Sequence, residues 1–206
     1  MIPFELLSTF IVATVLIGLS PGPDNLYVLA QSAFHGRKAG IYLTAGLCSG
    51  LIVHTSLVAL GVAAILKTSI VAFNVLKILG AAYLLYLAWM AFRASNTSLE
   101  NPPPKTLTPY QLYRRGILMN LSNPKVSIFF LAFLPQFTLP EHGSVGLQVF
   151  ILGLITMFVT FILFASIALI ADKLRAKLVQ SPKIQKTLHQ ITGLVFVALA
   201  ANLIHT

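Results

Sequence analysis

The sequence predicts an all-α integral membrane protein. Six transmembrane helices form two inverted three-helix repeats, with helices one and four interrupted at proline motifs. Three observations carry this: scarce charge, long uncharged runs, and a proline-bearing interruption that recurs about a hundred residues on. Of 206 residues, 57% are hydrophobic and only 9% charged, and the mean hydropathy is +0.86. A soluble domain carries about 25% charged residues, so most of this chain is solvated by lipid.

The spans follow in order. Phe4–Phe34 is apolar but interrupted by "LSPGPDN" at Leu19–Asn25. It starts with Glu5 rather than lysines and lacks a small-residue cleavage site, so it reads as a span and not a cleaved signal peptide. Ala39–Leu66 contains no Asp, Glu, Lys or Arg and exceeds the ~20 residues a helix needs to cross a bilayer. Val71–Phe92 is shorter. Tyr110–Phe137 is interrupted at "SNPK", Ser122–Lys125, and Gly146–Ala171 is again uncharged. Thr187–Ile204 closes the set. Residues 1–93 form the first repeat, the polar, proline-rich stretch 94–109 is a cytoplasmic linker, and 110–206 form the second repeat. The loop around Leu174 and Leu178 reads either as a short amphipathic helix at the membrane surface or as a plain connector.

The net charge of +9 encodes orientation rather than nucleic-acid binding. Arg37, Lys38, Arg93, Lys105, Arg114, Arg115, Lys173, Arg175, Lys177, Lys183 and Lys186 all fall in loops on one side. The positive-inside rule makes that side cytoplasmic and both termini extracytoplasmic. The same residues meet anionic membrane lipids. The single cysteine, Cys48, excludes an internal disulfide and a cysteine metal cluster. No cofactor motif and no catalytic signature appear, so neither a cofactor, a metal nor an enzyme is expected.

Shifted by 103 residues, Pro21 meets Pro124, Ser20 meets Asn123, and "GLI" at Gly50 meets "GLI" at Gly153. With three spans each, the halves must be inverted relative to one another. Paired interrupted helices in such a repeat are a transporter arrangement, with the substrate site near the midplane where the breaks meet. A break survives in lipid only where it faces protein or a water-filled cavity. Ser20–Pro21 and Asn123–Pro124 are both pairings of N-cap residue and first-turn proline, so each site ends one half-helix and starts another. The hinge set is Ser20, Pro21, Gly22, Pro23 and Pro124; a simple kink is the alternative. Asp24 suits a helix's first turn. Lys125 opposes the helix dipole there and needs an anionic partner, either Asp24 or a substrate carboxylate. Ionisable groups inside spans are costly and by default functional, though a static structural pair would also fit.

Asn25, Asn120 and Asn123 join Asp24 and Lys125 as candidate substrate- or proton-binding residues. His54, the one ionisable side chain of span two, has an ordinary pKa that suits proton transfer; a hydrogen-bonded structural histidine fits equally. Gly46 and Gly50 form a small-residue face for helix packing. The mass of 22.3 kDa leaves room for a homodimer, for which this face is the candidate interface.

"SPGPDN", "GRKAG", "GLCSG", "LKILGAAYLLYLA" and "GILMNLSNPKVSIFFLAFLPQF" are similar, in that order and over nearly the whole chain, to the lysine exporter (LysE/RhtB) family. The threonine/homoserine efflux branch is the nearest. Departures are Ala88, where glycine is common, and Ala45, where leucine is usual. The resemblance implies a bacterial inner-membrane exporter of amino acids or derivatives, with an amino-acid substrate and protons as partners. A small-solute channel and a membrane protein without transport are the alternatives.

Overall fold

The computed structural model describes residues 2–20, 22–68, 70–93, 107–171 and 182–205. Those residues are predominantly helical, with no strand among them. In chain order they form α1 (Phe4–Leu19), α2 (Pro23–His35), α3 (Arg37–Thr68), α4 (Ile70–Arg93), α5 (Pro109–Leu121) and α6 (Pro124–Ile128). A π-helical turn, Phe129–Phe133, and a 3-10 turn, Leu134–Phe137, extend α6. Then come α7 (Val145–Leu169) and α8 (Pro182–His205).

Membrane-spanning capacity follows from length and composition. Arg37–Gly61 of α3 and Val145–Leu169 are each long and apolar enough to cross a bilayer. α1 with α2, bent by 59°, and Pro109–Leu121 with Pro124–Phe137, bent by 53°, meet the same measure as broken pairs. The described apolar part of α8, His189–Ile204, is shorter. α8 begins at Pro182, five residues before the expected Thr187, because proline at the first position is pre-organised for a helix. The linker's last residues also belong to a helix: Thr108 caps α5 in a capping box with Gln111, and Pro109 opens it. Pro21, residues 94–106 and the stretch 172–181 lie outside the described residues.

Packing inverts the pattern of a soluble protein. Leu60 and Phe158 are 78% and 65% exposed, while Thr14, Asp24, Asn25, Gln31, Thr44, Asn120, Asn123 and Thr156 are buried. Such a molecule keeps its polar groups for its interior and offers lipid an apolar surface. α3 packs on both α5 and α7, α4 on α8, and α1 on α7 and α8. The α3–α5 crossing is close because Gly46 lies against the Tyr113 carbonyl and Gly116, leaving no room for a side chain. The Gly46–Gly50 face is therefore occupied within the chain. It is not the free homodimer surface that the sequence suggested.

An aromatic cluster fixes the second bent pair on α1. The Phe10 and Phe137 ring centroids are 5.1 Å apart in an edge-on contact, and Phe133 and Phe137 are 5.0 Å apart. Such pairs contribute about 0.5–1.5 kcal/mol each beyond their area. They pack the end of the second bent pair against α1.

Candidate functional site

At the first break α1 ends at Leu19 with Ser20 as its C-cap, and α2 starts at Pro23 with Gly22 as its N-cap. The sequence suggested a different register, with Ser20 capping a helix that began at Pro21. Both Ser-Pro and Gly-Pro satisfy the local rule, and contacts from elsewhere decide. Asn25 Nδ2 donates to the carbonyls of Gly18 (2.8 Å) and Ser20 (3.0 Å). Lys125 Nζ donates to those of Ile17 (3.3 Å) and Ser20 (3.2 Å). These side chains satisfy the orphan acceptors at the end of α1, so Ser20 belongs to α1. N-cap Gly22 has no capping side chain.

At the second break Asn123 caps α6, its Oδ1 accepting from the Lys125 amide at 3.0 Å, with Pro124 in the first turn. The other end of that amide crosses the interface: Asn123 Nδ2 donates to Asp24 Oδ2 at 2.8 Å. One asparagine thus ties the two breaks together. The Lys125 ammonium escapes the unfavourable dipole of its own helix by reaching the carbonyl end of α1, where a cation is favoured. Its hydrogen-bond partners are backbone carbonyls, where the sequence suggested an anion, either Asp24 or a substrate carboxylate. Gly22 makes room for it, since a Cβ there would lie 3.1 Å from Nζ.

A cavity of about 50 Å³ opens between the breaks. That is more than the ~10–15 Å³ a cavity needs to hold a water. Asp24, Asn120 and Lys125 line it, with Thr14, Thr156 and Thr160 as further polar groups. Ile17, Leu51, Val126, Phe129, Phe130 and Phe164 make the apolar wall. Two acceptors on this lining, Asp24 Oδ1 and Asn120 Oδ1, are buried and have no hydrogen-bond partner. The hydroxyls of Thr14 and Thr156 donate to the Phe10 and Leu152 carbonyls of their own helices, at 2.8 and 2.9 Å. Their lone pairs stay free to accept.

The remaining sequence candidates lie around the same cavity and breaks. Asn25 and Asn123 serve the breaks as described. His54 sits behind the wall, its Nε2 3.4 Å from the Asn120 carbonyl oxygen and its ring stacked on Phe130 with centroids 5.6 Å apart. Gly50 presses on the Asn120 side chain. Sequence reasoning missed the threonines. Their signal was present: Thr156 and Thr160 stand one helical turn apart in an uncharged span, but most membrane threonines merely bond back to their own helix.

The family model described as LysE type translocator matches residues 15–206, including both breaks and every residue of the cavity lining except Thr14. The chain belongs to this family. As a LysE type translocator, it is a transport protein and not an enzyme. It is 32% identical over 97% of its length to the homoserine/homoserine lactone efflux protein of Salmonella typhimurium, covering 96% of that protein. It is also 32% identical over 95% of its length to the leucine efflux protein of Salmonella choleraesuis, covering 92% of it. An uncharacterized membrane protein of Pseudomonas aeruginosa shares 36% identity over 79% of this chain and 80% of its own. No solved structure matches.

Proposed function

We propose that this translocator is a secondary active exporter of neutral amino acids, of the threonine/homoserine class and its apolar neighbours, driven by exchange for protons across the bacterial inner membrane. One observation carries the reading: buried acceptors without donors, Asp24 Oδ1 and Asn120 Oδ1, belong to residues that line a cavity between two helix breaks. An α-ammonium group brings three donors to that place. Bonds to a charged group contribute about 1.5–3 kcal/mol each, enough to select a zwitterion over a neutral solute.

The carboxylate end of the substrate has two attractors. The start of α2, at Gly22, has no capping side chain and carries the positive end of the helix dipole. Lys125 has three ammonium donors, of which the carbonyls of Ile17 and Ser20 engage two. The apolar wall and the threonine hydroxyls would then receive the substrate's side chain. Relatives named for homoserine and for leucine efflux match a chamber that offers both surfaces. Asp24 can hold either the substrate ammonium or a proton, and that exclusivity is the basis of antiport.

The same reading takes α4 and α8 as the third and sixth spans, the halves as inverted repeats, and both termini as extracytoplasmic. Support comes from the paired breaks and from packing, in which α4 pairs with α8 and α3 with α7. The test is flux of radiolabelled homoserine, threonine and leucine in proteoliposomes. Saturable exchange, accelerated by an imposed pH gradient, is expected. Non-saturating flux would identify a channel, and no flux of any of the three would refute the reading.

A further inference from the structure

We infer that the Lys125 ammonium is a built-in cation. It fills the place at the first helix break where a broken-helix transporter would hold a free alkali cation, so export proceeds without sodium or potassium. This rests on the transport reading above and adds the identity of the ion at the break.

In broken-helix transporters, unwound carbonyls and half-helix C-terminal ends coordinate the coupling cation. Here the corresponding end of α1 offers the carbonyls of Ile17 and Ser20, and Lys125 Nζ lies 3.3 and 3.2 Å from them. Further oxygens belong to residues of the same break. Asn25 Oδ1 and Ser20 Oγ are buried without partners, in residues 6% and 3% exposed. A Cβ on Gly22 would lie 3.1 Å from Nζ and 3.5 Å from Asn25 Oδ1, so both atoms border the same small space. The Asp24 carboxylate supplies negative charge nearby. Hard oxygens from carbonyl, amide and hydroxyl groups are what a small cation takes up. The ammonium reaches them from the other half of the chain, so the cation is tethered and cannot exchange with solution.

The test pairs thermal unfolding of detergent-purified protein with homoserine exchange in proteoliposomes, each in sodium, potassium or choline chloride. For the wild type, both the melting temperature and the exchange rate should be the same in all three salts. Lys125→Met keeps the stem and removes the cation. It should melt about 3–6 °C lower in choline, exchange slowly, and recover part of both in sodium.

Sodium that stabilises the wild type as much as the variant, or a Met variant indifferent to salt, overturns the inference. If the Met variant does not fold, Lys125→Arg decides alongside the wild type. Arg retains a cation and should exchange without sodium, and a sodium requirement in either protein refutes the proposal. Wild-type protein that exchanges no amino acid removes the transport reading, while the melting comparison still reports on the cation.

Discussion

Gly50→Ala adds one methyl group to α3 at the point where it meets Asn120, a residue of the cavity lining. The new Cβ would lie 2.6 Å from Asn120 Oδ1, 2.7 Å from its Cβ and 3.0 Å from its Cγ. No rotation of Asn120 relieves a clash with its own Cβ, so α3 and α5 must separate or the amide must be pushed aside. Overpacking of this kind costs about 1–3 kcal/mol. Alanine also favours a helix over glycine by about 1 kcal/mol, which masks part of the effect.

Gly61→Ala on the same helix is the control, because a Cβ there meets nothing within 4 Å. Propensity cancels between the two variants, leaving the clash alone. At about 2–4 °C per kcal/mol for a chain of this size, Gly50→Ala should melt several degrees below Gly61→Ala. Displacing Asn120 removes an ammonium acceptor, so half-saturation for homoserine exchange should rise about tenfold, equivalent to 1.4 kcal/mol. Asn120→Gly in the Gly50→Ala background also removes the clashing Cβ and, after its own helix cost of about 1 kcal/mol, should recover part of the melting temperature but not the affinity. Equal melting of the two single variants, with unchanged affinity in both, would refute the placement of Asn120 between α3 and the substrate.

Thr156→Val replaces a cavity hydroxyl by a methyl of similar size; competition assays should show a shift of about tenfold from homoserine toward leucine, and an unchanged ratio would remove Thr156 from substrate contact. Phe130→Ala hollows a fully buried ring position and should destabilise the protein by about 3–5 kcal/mol, read as a large loss of melting temperature; near-wild-type melting would show that Phe130 is not part of the packed wall. For orientation, in a Cys48→Ala background, a cysteine at Ser144 should react with impermeant thiol reagents in intact cells and one at Pro103 should not. The reverse pattern would invert the assigned topology.

The breaks themselves were legible in the sequence. Proline, glycine and aspartate inside apolar runs leave few physical options in a bilayer, and the observed element bounds follow the uncharged runs closely. The register at the first break was not legible. Ser20–Pro21 and Gly22–Pro23 obey the same capping rule two residues apart, and the choice is made by Asn25 and Lys125 reaching the α1 carbonyls. Lys125 was recognised as a cation needing a partner, but backbone carbonyls leave no mark in a sequence, so a carboxylate was the natural expectation. The π-helical turn at Phe129–Phe133, whose Phe129 and Phe130 line the cavity, likewise had no local signal in the sequence. Asn123 bridging to Asp24 joins residues about a hundred positions apart, a link that only the folded chain creates.

The central claim is that the Asp24 carboxylate, held by Asn123 through one oxygen and unpartnered at the other, is where substrate ammonium and proton alternate. Asp24→Asn keeps the shape and most hydrogen bonding while removing the charge and the titration. The decisive measurement is homoserine export against its gradient in proteoliposomes, from pH 6 to pH 8, with correctly inserted wild type and variant side by side. The account predicts that the variant melts near wild type yet loses uphill export at every pH. Uphill export at the wild-type rate across that range would contradict it and leave Asp24 a structural polar group.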